Sequence, residues 1–236
     1  VSRKPALGPA GERTEWGDRV LALRDVWTTL GLFIFVIGGI YAGMFTPTEA
    51  AGMGAAGALT IAWRRGALKD GALFQVLRET AITTAKLFFI LFGALIFSNF
   101  VNRAGLPDGL IGIVNAFDLS PLGVIFIILL IYVVLGCVFE SLSMILLTVP
   151  IFAPLVASLG FDLIWFGILV VVVTEISLIT PPIGLNVFVL KGVLKDVAVG
   201  TIFKGVTPFW VADIFRLLLL AGVPSIALFL PSMMMD

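Results

Sequence analysis

Long apolar runs follow one another along this chain, and several are broken in the middle by proline. Val26 to Met44 (VWTTLGLFIFVIGGIYAGM) is the first. A helix needs about 20 apolar residues to cross the hydrocarbon layer of a bilayer. No water in that layer satisfies backbone N–H and C=O groups. Irregular backbone therefore survives there only against protein or beside a water-filled cavity. The chain reads as an all-α polytopic membrane protein, and its broken spans are where a function has to be sought.

Composition agrees. Apolar residues make up 60% of the 236, charged residues 13%, and mean hydropathy is +1.14. Soluble domains run nearer 45–50% apolar and about 25% charged. A soluble single domain and a disordered chain are excluded, and the zero net charge leaves no footprint for a nucleic acid. With no His and one Cys, Cys137, a His general base, a His-held metal and an internal disulfide are excluded too. No resident cofactor is expected.

Residues 1–25 are polar and basic without a following signal-peptide core, and read as a cytoplasmic loop cut from a longer chain. Residues 26–63 read as a helix pair around the turn Thr46-Pro47-Thr48-Glu49-Ala50, with Thr48 as the cap of the second helix. Residues 64–86 carry apolar positions at helical spacing and read as an amphipathic interfacial helix. Residues 87–120 hold a transmembrane helix and a connection. Residues 121–160 form a helical hairpin tipped by Glu140-Ser141-Leu142-Ser143, residues 161–196 a broken transmembrane helix, and residues 197–236 a C-terminal transmembrane helix. Gly39-x-x-x-Gly43 permits close helix contact.

Charge supports the hairpin. Cytoplasmic loops carry the Lys and Arg excess. If the hairpin enters and leaves on the outer side, thirteen of the fifteen basic residues fall inside, Arg103 outside, and Arg216 within a span. If it were a single crossing, Lys191, Lys195 and Lys204 would move outside, and the bias would fall to ten against four.

Two places force irregular backbone at membrane depth: the hairpin tip and Thr180-Pro181-Pro182-Ile183-Gly184. Consecutive prolines remove two N–H donors and push Thr180 out of the helical region, while Gly184 lets the chain turn again. Such a break offers carbonyls to a hard cation such as sodium and a half-helix N-terminus to a carboxylate. The candidate ion- and substrate-binding residues are Glu140, Ser141 and Ser143 at the tip, Thr174 and Glu175 before the break, and Thr180, Pro181, Pro182, Gly184 and Asn186 in it. A sodium site is expected at Thr180, Pro181, Gly184 and Asn186. A plain proline kink is the simpler alternative. The ionisable residues expected to be buried are Glu140, Glu175, Asp213 and Arg216, with the last two paired across one helical turn. Cys137 is expected only to pack.

Gly38-Gly39-Ile40-Tyr41-Ala42-Gly43-Met44-Phe45-Thr46-Pro47-Thr48-Glu49-Ala50-Ala51 resembles the start of the second half of the large membrane subunit of TRAP (tripartite ATP-independent periplasmic) transporters. Ile164-Trp165-Phe166-Gly167-Ile168 and the stretch Ile179 to Phe188 (ITPPIGLNVF) resemble later signatures of the same subunit, in order. The resemblance runs from about Val26 to the C-terminus. It implies the second half of an inverted-repeat, elevator-type transporter, with a re-entrant hairpin and a Pro-broken helix in the moving part. It also implies a permease of the bacterial inner membrane that imports organic acids such as dicarboxylates with a sodium gradient. The implied partners are a small TRAP membrane subunit and a periplasmic binding protein that delivers the substrate.

Two alternatives of other classes remain. A non-transporting assembly or scaffold subunit would suit the Gly-rich faces but would leave the double-proline break unexplained. An intramembrane enzyme would lack His, a Gly-x-Ser-x-Gly elbow and a spaced acid pair.

Overall fold

A computed structural model describes residues 16–195 and 197–234. Residues 1–15 of the expected N-terminal loop and the last two residues lie outside it. The described residues form ten helices and no strand. Three helices are long and apolar enough to cross a membrane: Ala72–Arg103, Ser141–Ser158 and Val199–Gly222.

The chain divides into two compact units, one through Thr80 and one from Ala81. In the first, α1 (Trp16–Tyr41) packs against α2 (Pro47–Arg64). α1 begins within residues 1–25, so the loop expected there ends earlier than composition suggested. A Cβ on Gly57 would strike Leu32, and one on Gly39 would strike the Phe45 ring. Gly39 thus seats an aromatic side chain of the following turn, not the backbone of a second helix.

The cap of α2 is Thr46, not Thr48. Thr46 N and Oγ1 donate to Glu49 Oε2 at 2.9 and 2.8 Å, and Glu49 N donates back to Thr46 Oγ1 at 3.3 Å. This is a reciprocal capping box with Pro47 at the first helical position, where its missing N–H costs nothing.

α3 (Ala72–Arg103) is one continuous helix of 32 residues. The boundary expected between residues 86 and 87 falls inside it. Gln75, Arg78, Glu79 and Lys86 are good helix formers, so the change from mixed to apolar composition does not interrupt the backbone.

In the second unit the helices are α4 (Leu106–Ala116), α5 (Pro121–Gly136), α6 (Ser141–Ser158), α7 (Leu163–Ser177), α8 (Leu185–Val193), α9 (Val199–Gly222) and α10 (Pro224–Met234). The span expected over 197–236 is therefore two helices, split where Val223 precedes Pro224 and leaves the helical region. α7 is the centre, with α5, α6, α9 and α10 packed around it. Ile125, Tyr132, Val156, Leu169, Val173 and Ile176 are fully buried there.

Pro224 has no N–H to give the carbonyl four residues earlier, Leu220. That carbonyl accepts instead from the Trp165 indole Nε1 at 2.8 Å, so the family-like Trp165 ties α7 to the end of α9.

Candidate functional site

The hairpin is α5 and α6 joined through Cys137 to Glu140. Its arms are held across by Tyr132 and Thr148, whose hydroxyls lie 2.6 Å apart in the core. Thr148 Oγ1 also lies 2.7 Å from the Met144 carbonyl of its own helix.

Glu140 is the cap of α6. Its Oε1 accepts from Leu142 N at 3.1 Å, and its Oε2 accepts from Ser143 N at 3.0 Å and Ser143 Oγ at 3.2 Å. Two of the expected tip residues, Glu140 and Ser143, are thus joined in one cap, and Ser141 opens the helix beside them. Glu140 is exposed on this chain, not buried, because a cap stands outside the helix it starts.

Before the break, Thr174 and Glu175 part company. Thr174 is 1% exposed, and its hydroxyl finds no hydrogen-bond partner among the described residues. Glu175, one step round the helix, is exposed. Asp213 and Arg216 form the expected pair at 3.0 Å, but Arg216 is 53% exposed and so is not buried in this chain.

The break runs from Thr180 to Gly184, with a cis Pro181-Pro182 bond. The two prolines change the ladder in specific ways. Pro182 cannot serve the Leu178 carbonyl, and Asn186 N, from the first turn of α8, donates to it at 3.1 Å. Gly184 takes a left-handed conformation at φ 57 and caps α8, where a Cβ would come within 3.4 Å of the Thr180 carbonyl. Gly184 is buried, while Pro181, Pro182 and Asn186 are exposed.

Thr180 has its two ends in different places. Its hydroxyl donates to the Ile176 carbonyl at 2.7 Å and accepts from the Trp210 indole of α9 at 2.9 Å. Its carbonyl faces the end of α5, with the Cys137 sulfur 3.9 Å away. Just below, Gly136 meets Ser177, whose hydroxyl donates to the Thr174 carbonyl at 2.5 Å.

The structure therefore brings Ser177 and the Thr180 carbonyl beside the end of the first hairpin arm, at Gly136 and Cys137, and ties Thr174 to them only through its carbonyl, which accepts from Ser177. Among the described residues no hydrogen bond joins Glu140, Ser141 or Ser143 to the break. Sequence reasoning gave Cys137 only a packing role and did not single out Gly136, Ser177 or Trp210. The available signal was weak: a Trp in a helix that also carries Thr207 and Asp213 needs an acceptor for its N–H when partly buried.

The arrangement presents uncharged oxygens, namely a free buried hydroxyl and a carbonyl at a helix break. Such donors suit a hard cation.

Comparison with known proteins fits this geometry. Residues 2–226 match the family model for the tripartite ATP-independent periplasmic transporter, DctM component. The chain is 35% identical over 98% of its length to the C4-dicarboxylate TRAP transporter large permease protein of Rhodobacter capsulatus, covering 51% of that protein. It is 31% identical over 94% of its length to an ectoine/5-hydroxyectoine large permease of Ruegeria pomeroyi, covering 52% of it. It is 32% identical over 92% of its length to a sialic acid large permease of Vibrio cholerae, covering 51% of it. The chain spans about half the length of the curated relatives it matches, as expected for half of a large subunit. A polytopic helical chain with a polar-tipped hairpin seated against a double-proline break, matched along nearly its whole length, belongs to the DctM family of TRAP transporter large permeases.

Proposed function

We propose that this chain is part of the permease of a sodium-coupled secondary transporter in a bacterial inner membrane. It imports organic acids handed over by a periplasmic binding protein and works with a small TRAP membrane subunit. The observation that carries this reading is the Thr180–Gly184 break seated on the end of the hairpin, with the unpartnered Thr174 hydroxyl buried beneath it.

A buried hydroxyl without a partner costs about 1–3 kcal/mol, so it is retained where something else satisfies it. Sodium is a co-substrate that the oxygens at the break fit. The Thr180 carbonyl and the Asn186 side chain are the ligands this break offers, the remainder come from the rest of the transporter, and Thr174, six residues or about 9 Å back along α7, is too far to share the same ion. The N-terminus of α8 has no side-chain cap, and although Asn186 N and Val187 N already serve the Leu178 and Gly184 carbonyls, its dipole end favours a carboxylate nearby. Charge balance then couples the two: the cation lowers the cost of bringing the anion into a low-dielectric site.

Uptake by the full-length permease with its partner subunits, reconstituted in proteoliposomes, tests this. Succinate, sialic acid and ectoine form the panel, because relatives carry solutes of these kinds. An inward sodium gradient is expected to drive uptake of one of them, with saturation. Assembly with the partners but no sodium-driven uptake of any carboxylate would bring the scaffold reading forward.

A further inference from the structure

We infer that Trp210 is a positioning residue that latches the broken helix to α9 through the Thr180 side chain and so fixes where the Thr180 carbonyl points. The inference rests on the sodium-coupled reading above.

Thr180 is 5% exposed, and its hydroxyl is fully engaged. Its one proton goes to Ile176 O at 2.7 Å, and its oxygen receives the Trp210 Nε1 proton at 2.9 Å. The side chain is thus turned toward α9, while the carbonyl of the same residue faces Cys137 at the hairpin end. The contribution of Thr180 to an ion site at the hairpin comes from its main chain, and the hydroxyl is a tether.

The tether matters because packing around the Trp210 ring is incomplete. A cavity of about 310 Å³ opens beside it, walled by Ile179 and Pro181 on one side and Phe203 and Val206 on the other. A ring bordering an open cavity has room to move, so the hydrogen bond, together with the Phe203 ring packed at Gly184, sets the separation of α9 from the break. Pro181 follows at once and gives no N–H with which the backbone could hold itself.

Sodium affinity is the readout that a merely structural role would not move, since it is measured per folded transporter. Radiolabelled sodium binding to the purified full-length permease is titrated for Trp210→Phe, Thr180→Val and the double variant, with Asn186→Ala alongside. Trp210→Phe keeps the aromatic bulk and removes only the donor. Apparent sodium affinity is expected to fall about two- to tenfold, the size of one hydrogen bond. Thr180→Val is expected to fall by a similar factor, and the double variant no further, because both remove the same tether. Additive losses, or wild-type affinity in Trp210→Phe while Thr180→Val or Asn186→Ala binds sodium more weakly, would overturn the latch and leave the ion site standing. Wild-type affinity in all the variants would remove both the latch and the sodium site it serves.

Discussion

Gly136 and Ser177 meet so closely that a Cβ on Gly136 would fall on the Ser177 hydroxyl. This contact sets the end of the first hairpin arm directly on α7, one turn before the break. Gly136→Ala is expected to destabilise the second unit by about 1–3 kcal/mol, the cost of overpacking a tight contact. Adding Ser177→Gly should recover part of that loss. Thermal unfolding of the detergent-solubilised permease measures both, and an undiminished melting temperature for Gly136→Ala would show that the arms are not seated this way.

The Tyr132–Thr148 pair predicts an asymmetry. Tyr132 is fully buried and has the Thr148 hydroxyl as its partner, whereas Thr148 has a second partner in the Met144 carbonyl, which accepts its proton. Thr148→Val orphans the phenol and should cost about 1–3 kcal/mol; Tyr132→Phe leaves Thr148 its helix carbonyl and should cost about 0.5–1.5 kcal/mol. Equal losses in the two variants would contradict the assignment.

Glu140 spends both carboxylate oxygens on capping α6. Glu140→Ala should therefore lower stability by about 1 kcal/mol, and Glu140→Asn, a good cap without the charge, should restore most of it. Comparing uptake by the Asn variant with its melting temperature separates the cap from any use of the charge. A melting temperature for Glu140→Asn as low as that of Glu140→Ala would deny the cap.

The loop after α8 is closed by Lys191, whose Nζ donates to Lys195 O at 2.6 Å and Val197 O at 2.8 Å. The basic-residue distribution predicts that this loop faces the cytoplasm. Cys137 is buried, so a cysteine introduced at Lys195 is the thiol that a polar maleimide should reach. Labelling is expected from the cytoplasmic side, and ready labelling of intact cells from outside would invert the topology.

Much of this architecture is legible in the sequence because proline and glycine act locally. Pro181-Pro182 and Gly184 mark the break whatever surrounds them, and the long apolar runs mark the helices. The Thr46 cap could have been read from Thr46-Pro47-Thr48-Glu49, since a capping box needs its acid three residues on and Thr48 has Ala51 there. The continuity of α3 through Lys86 was masked because a polar-to-apolar change resembles a membrane boundary while leaving the helix uninterrupted.

The candidate site was only half legible. Thr174 and Thr180 stood out as polar residues in apolar helices. Their partners did not, because Trp210 lies 30 residues from Thr180 and Cys137 lies 43, separations that no local periodicity encodes. Nor does sequence tell a side chain used as a ligand from one used as a tether, as at Thr180, where the choice depends on which neighbouring helix supplies the donor.

The hydrogen bond from Asn186 to Leu178 spans the double proline and returns to one half-helix the carbonyl that the other would have left bare. Shearing α8 away from α7 would therefore leave that carbonyl without its partner, a cost of about 1–3 kcal/mol where it stays buried. One hydrogen bond thus ties the two halves across the gap in their winding. A displacement that keeps this bond carries the interrupted helix whole, with the bending taken up in the segments that flank it.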